Sequence, residues 1–211
     1  TQRRLNENGL TLAGMKQEVL NSSGAALQSS TRSAAVFDVR QLGAKPDNAT
    51  DSTASIRRAI ALATASTAAR TTLLFPSGGV YLTLPLHING SVSNLDIVIE
   101  SGATIAPFLA GGELWSYPFG APHGCAQCYQ TFFALGNSAS SSTSVRMANI
   151  SVGGGGIIDG RGLDWWVQAY TNSSCHNSWW PPYLSTFDSI DGLLIRDITF
   201  LDPGMATVSL G

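Results

Sequence analysis

Apolar and polar positions change their period once along this chain. Ile56, Ala59, Ile60 and Ala63 fall at i, i+3, i+4 and i+7, while Arg57 and Arg58 point elsewhere, which predicts a helix lying on an apolar surface. Thr50 or Asp51 is placed to cap its first turn. Ahead of it, Val36 to Val39 reads as a short strand, followed by turn formers from Leu42 to Asp47. Behind it, helical periodicity gives way to short strand signals punctuated by Gly, Asn and Asp: Thr72 to Phe75, Val80 to Leu82, Leu95 to Ile99, Thr104 to Ala106, Phe132 to Leu135, Ile150 to Val152, Gly156 to Ile158 and Leu193 to Phe200. Residues 1–33 are polar and rich in Ser and Thr, with a short helical pattern from Leu10 to Leu20, and predict a mobile arm ahead of a single domain over residues 34–211.

A faint repeat links the strands. Asn94-Leu95-Asp96-Ile97, Asn149-Ile150-Ser151-Val152 and Gly192-Leu193-Leu194-Ile195 each place a turn former before an apolar, a variable and a second apolar position. The intervals are 55 and 43 residues, which predicts two coils in each if a coil takes a little over about 20 residues. One helix followed by repeating strands fits a solenoid whose open end the helix covers. A sandwich accounts for the strands but not for the helix coming first. A solenoid ending in an uncovered coil is also expected to aggregate, unfold or associate in isolation.

Composition narrows the classes. With 44% hydrophobic and 12% charged residues the chain is a folded protein, and 12 basic against 14 acidic side chains offer neither a stripe for nucleic acid nor a polybasic membrane anchor. No apolar run reaches the roughly 20 residues that a spanning helix needs. Five Asn-x-Ser/Thr sequons, at Asn21, Asn48, Asn89, Asn149 and Asn172, favour a secreted, glycosylated protein. Cys125, Cys128 and Cys175 cannot all pair within the chain. A disulfide pinning a long loop is the expected use, to Cys175 or to a cysteine elsewhere. Cys125-x-x-Cys128 has no second such pair and no histidine at finger spacing, so no metal is assigned.

Three segments resemble glycoside hydrolase family 28, the polygalacturonases and their relatives. Phe37 to Asp51 with the following helix is similar to the family's opening, with Leu42 before Gly43-Ala44 and Ser52 in the second acidic place. Leu74 to Leu82, Leu84 to Ile88 and Val98 to Ile105 are similar to its Pro-x-Gly-x-Tyr and Glu-x-Gly-Ala stretches. Gly154 to Trp166, Pro182 to Leu184 and Leu194 to Phe200 follow its Gly-x-Ile-Asp-Gly-x-Gly-x-x-Trp-Trp element and the strand after it. Pro181 stands where the family often has Arg, and Leu201 to Met205 match its last motif loosely. The resemblance implies an all-β, right-handed parallel β-helix with an N-terminal capping helix, truncated at its C-terminus. It also implies inverting hydrolysis of α-1,4 bonds in pectic galacturonan, without a cofactor, by an extracellular, cell-wall-directed enzyme that is monomeric when full length. Related readings are a rhamnogalacturonan or exo-acting hydrolase, a Ca²⁺-dependent β-helix lyase, and a non-catalytic carbohydrate-binding protein.

Candidate residues are few. Gly153 to Gly162 crowd glycines where stacked coils need sharp corners, and lack the Lys and following helix of a phosphate loop. Asp159 and Asp164 read as turn aspartates, since a glycosidase needs two carboxyl groups facing each other across a bond. Of Trp165 and Trp166, one is expected to pack inward and the other to brace a loop. Trp179, Trp180 and Tyr183, in a loop with two prolines, are the candidate sugar platform. His87, His123 and His176 have no partner at a triad spacing and read as surface histidines. The family's Asn-Thr-Asp, Asp-Asp, Gly-His-Gly and Arg-Ile-Lys elements are all missing from the sequence, so no catalytic residue is assigned here.

Overall fold

The computed structural model describes residues 33–109, 127–128, 131–136, 146–171 and 179–211, with only the backbone of 127–128, 168–171 and 179–180. The expected arm and its Leu10 to Leu20 helix lie outside the described residues.

Among the described residues sixteen strands fall into parallel sheets that the chain visits in rotation. The first sheet stacks β1 (Ala34–Asp38), β3 (Arg70–Phe75), β6 (Ser93–Ile99), β10 (Met147–Gly153) and β14 (Ile190–Ile195). The second stacks β2 (Asp47–Asp51), β4 (Gly79–Thr83), β7 (Ala103–Pro107), β11 (Ile157–Asp159) and β15 (Thr199–Leu201). The third stacks β5 (Leu86–Ile88), β9 (Phe133–Gly136), β13 (Ser185–Asp188) and β16 (Val208–Leu210). A two-stranded sheet pairs β8 (Gln127–Cys128) with β12 (Trp179–Trp180). Each turn runs from first to second to third sheet, the arrangement of a parallel β-helix. In chain order α1 (Thr53–Thr64) takes the third place in the first turn.

Helix α1 forms for the reason its periodicity suggests: Ile56, Ala59, Ile60 and Ala63 are all buried. The stripe joins the core beside β1, β3, β4 and β5. Of the two expected capping residues, Asp51 engages the first turn and Thr50 does not. Ser52 is the N-cap residue, with its hydroxyl on Lys45 rather than on the helix, and the Asp51 carboxylate accepts the Thr53 amide at 2.9 Å. Thr50 is engaged by Asp47 instead.

Inside, side chains stack in columns because strand residues alternate faces and the strands run in register. Phe37, Leu73, Ile97, Val152 and Ile195 form one column and Thr71, Leu95, Ile150 and Leu193 another. Phe75 meets Tyr81 edge to face at 5.9 Å, and burial of the Tyr81 phenol, which donates to the Pro76 carbonyl at 2.7 Å, pushes its pKa up to about 12.

The repeat is real but its period is corrected. Ile97, Val152 and Ile195 are direct neighbours, so 55 and 43 residues each span one turn, lengthened by insertions, not two. The turn former sits within the strand: Asn94, Asn149 and Gly192 have φ of 58°, 55° and 75°, and the Asn149 amide donates to the Asn94 side chain at 2.6 Å. Leu193 to Phe200 is likewise two strands separated by a corner at Asp197, whose φ is 49°. In the last turn Leu194, Val208 and Leu210 are exposed.

On the outer face of the first sheet, Asp96 takes a bidentate contact from Arg70 and a hydroxyl bond from Ser151. The Arg70 bond, then that from Ser151, hold its pKa below the usual 3.8 against the opposing effect of burial. The unfolded chain therefore binds more protons than the fold just below pH 3.8, so this contribution is complete above that value and is lost as pH falls through the folded pKa. Asp96→Asn is expected to cost about 1–2 kcal/mol at pH 7, reduced by the half-open setting of Arg70, and nothing once the wild-type carboxyl is protonated. Urea unfolding over a series from pH 7 downward checks this, the loss shrinking as pH falls through the folded pKa of Asp96.

Candidate functional site

Insertions decide where a site lies. The chain passes from second to third sheet in two residues after β4, but residues 108–132 and 160–184 intervene in the next two turns. These insertions are equal in length and leave the same corner. Their ends pair through β8 and β12, Trp179 opposite Gln127 and Trp180 opposite Cys128, with the same offset as Ser185 opposite Phe133 in β13 and β9. The two insertions thus return to the third sheet in step.

The outer face of that sheet is narrow and polar. Leu86, Phe133 and Ser185, and Ile88, Leu135 and Phe187, point inward and are buried. Between them His87, Ala134, Thr186 and Ser209 form the outward column. Its side chains are short beyond His87, leaving a shallow floor. At the far end of β13, Asp188 lies opposite Gly136, and burial raises its pKa above the usual 3.8. The fold then binds the extra proton just above pH 3.8, so stability falls as pH rises through the folded pKa. Asp188→Asn is expected to stabilise the protein by up to about 1 kcal/mol at pH 7 and to do nothing at pH 3, read by thermal unfolding at both values. Sequence reading did not single out Asp188; its only signal was an acidic residue at the end of a strand.

Helix α2 (Gly162–Thr171) opens the second insertion. It overturns the expectation that no helix follows Gly153 to Gly162, although the Lys of a phosphate loop is still missing there; the aromatic pair is too short a window to show helical periodicity. Asp164 occupies its first turn, where a carboxylate favours the helix dipole, and Asp159 accepts the Arg161 amide at 2.9 Å in a turn. Asp159 has the turn setting expected of it, whereas Asp164 is helical rather than a turn aspartate. The glycines divide in role: Gly154 and Gly155 turn the corner with φ of 115° and 87°, whereas Gly153, Gly156, Gly160 and Gly162 lie too close to neighbouring backbone for any side chain.

The two tryptophans also divide as expected. Trp165 is 2% exposed and belongs to the core, while Trp166 is 43% exposed and donates its indole N–H to the Gly204 carbonyl at 2.8 Å. Tyr183 is half-buried and its carbonyl accepts the Phe132 amide at 3.0 Å, tying the ends of the two insertions together. Trp179 and Trp180 stand on a strand, β12, rather than in a loop.

Of the sequons, Asn48, Asn89 and Asn149 are exposed; Asn21 and Asn172 lie outside the described residues, as do Cys125, Cys175, His123 and His176. Cys128 lies on β8, opposite Trp180. Among the described residues no group of three or more His, Cys, Asp or Glu is placed to hold a metal, and no helix is long and apolar enough to cross a membrane.

No protein-family model matches the chain, and neither does any curated protein. Solved structures do share its fold. An exopolygalacturonase of family 28 from Yersinia enterocolitica matches 81% of the chain over 35% of its own length, at 15% identity and a TM-score of 0.61. A provisionally named glycosyl hydrolase from Parabacteroides merdae matches 83% over 70% of its own, at 24% identity and a TM-score of 0.57. A hyperthermoactive exopolygalacturonase from Thermotoga maritima matches 80% over 42% of its own, at 17% identity and a TM-score of 0.54. The chain thus spans well under half the length of either exopolygalacturonase. Its fold is that of β-helical proteins that include polysaccharide-cleaving glycosidases.

Proposed function

We propose that this chain is the N-terminal part of a right-handed parallel β-helix glycosidase, capped by α1, that hydrolyses α-1,4 bonds in pectic galacturonan by inversion. The observation that carries the reading is the outward face of the third sheet, to which two insertions of equal length return with paired ends. A polymer chain needs a floor longer than one sugar, and three strand spacings from β5 to β16 span about 14 Å. Trp179, Trp180 and Tyr183, at the end of the second insertion, are the proposed sugar platform. The family-28 motifs of the sequence and the fold shared with two exopolygalacturonases support the pectic substrate and favour exo action as the second reading.

Inversion needs one carboxylic acid to protonate the leaving oxygen and a carboxylate about 6.5–9.5 Å away to activate water. Among the described residues of the third sheet's outward face the one carboxyl group is Asp188, beside the column of His87, Ala134, Thr186 and Ser209, so the pair is assigned to later turns of a longer protein. Secretion, and glycans on the exposed Asn48 and Asn149, complete the proposal.

The test is reducing-sugar release from polygalacturonate by this chain and by a form extended through the native downstream sequence. Activity in the extended form alone is expected. Activity in the short form would refute the assignment of the catalytic pair to later turns. Silence in both, with polygalacturonate still bound, would favour a carbohydrate-binding protein.

A further inference from the structure

A cleft of about 400 Å³ lies between α1 and β5, at the head of the outward column of the third sheet. Its helical wall is Arg57, Ile60 and Thr64, and its other wall is Pro85, His87 and Asn89. Arg57 spends one donor on the Pro85 carbonyl at 3.0 Å and, among the described residues, has no carboxylate partner. Its side chain is exposed and lines the cleft. His87 approaches the Thr131 carbonyl through Nε2 at 3.1 Å. A carbonyl only accepts, so this nitrogen carries the proton, and the neutral ring keeps Nδ1 as an acceptor. Burial disfavours the charged imidazole, which keeps that form at neutral pH. Ile60 and Pro85 supply buried apolar surface beneath.

A guanidinium with free donors, a neutral imidazole acceptor, an amide and an apolar floor match one chemical class. We infer that this cleft is a subsite for a carboxylate-bearing sugar, with Arg57 on the carboxylate, His87 accepting a ring hydroxyl and Ile60 and Pro85 under the C–H face. The choice of a uronate rests on the pectic reading above; the cleft itself does not. Because His87 both lines the cleft and heads the outward column, a polymer lying along that face reaches the cleft with an end residue. The site then selects charged over neutral chains far from the bond that is cut. It is open only while Asn89 is unmodified.

The experiment is an amide-shift titration of the chain, made in a host without N-glycosylation, with trigalacturonate, galacturonate, galactose and inorganic sulfate. Trigalacturonate and galacturonate are expected to shift Thr64, Ile88 and Asn89, and galactose is not. Arg57→Gln is expected to weaken galacturonate about tenfold, and Arg57→Lys, which keeps the charge and separates binding from folding, to retain most of it. Equal affinity in Arg57→Gln and wild type would overturn the subsite and leave the pectic reading intact. Sulfate shifting the same amides as strongly as galacturonate would overturn the sugar assignment. Arg57-dependent galacturonate binding without any action on polygalacturonate by the extended protein would support the subsite and sink the pectic reading.

Discussion

Trp165→Ala lowers stability by about 3–5 kcal/mol, the range for removing a buried indole. For a domain of this size that is a fall in Tm of roughly 10 °C. The effect is large because Trp165 is 2% exposed and anchors α2, the opening element of the second insertion, to the core. Its neighbour is the control. Trp166→Phe keeps a ring on the surface and loses only the indole bond to Gly204, a cost of about 1 kcal/mol. Differential scanning calorimetry of the two variants reads the contrast; similar losses from both would show that α2 is not held through Trp165. If the second insertion walls a polysaccharide face, Trp165→Ala also weakens polygalacturonate binding well beyond its effect on any other surface.

Gly136→Ala is the second large effect, at about 2–5 kcal/mol. The residue has φ of 104°, and a Cβ there would overlap the Asp188 carbonyl of the next turn. The positive φ accounts for about 1–2 kcal/mol and the overlap for about 1–3 kcal/mol more. Gly90 separates the two contributions. Its φ is 98°, but an added Cβ would meet nothing within 4 Å, so Gly90→Ala costs only the conformational part, about 1–2 kcal/mol. Urea unfolding of both variants measures the difference, and equal losses would show that the approach of β9 to β13 is looser than described.

How much of this was legible depended on the range of the signal. The helical stripe of α1 and the columns through Leu95 and Ile97 were readable because periodicity and β-branching are local. The register between turns was readable too: the repeated turn former before an apolar position marks stacked residues. The number of turns was not, because a pattern in one sheet says nothing about how long the chain wanders before returning. β2 was missed because Asp47–Asp51 offers only the small Ala49 as an apolar position, and it is the backbone pairing to β4 that makes it a strand. Its Asp47 carboxylate caps the following amides of Ala49 and Thr50, which draws its pKa down to about 2, a turn signature that hid a strand. At the candidate site, the aromatic cluster before Leu184 stood out in the sequence. The pairing of Arg57 with His87 did not, since it joins a helix to a strand 30 residues on through a cleft that only the fold creates.

The equal offset of β8 with β12 and of β9 with β13 gives the molecule a modular corner. Whatever leaves the stack between second and third sheets comes back without disturbing the ladder below it, so the cost of a longer or shorter excursion grows only with the logarithm of its length. Paired loops can therefore be exchanged as a unit, like the jaws of a tool on an unchanged handle. The grip would change with each swap while the spine continued to fold in the same order.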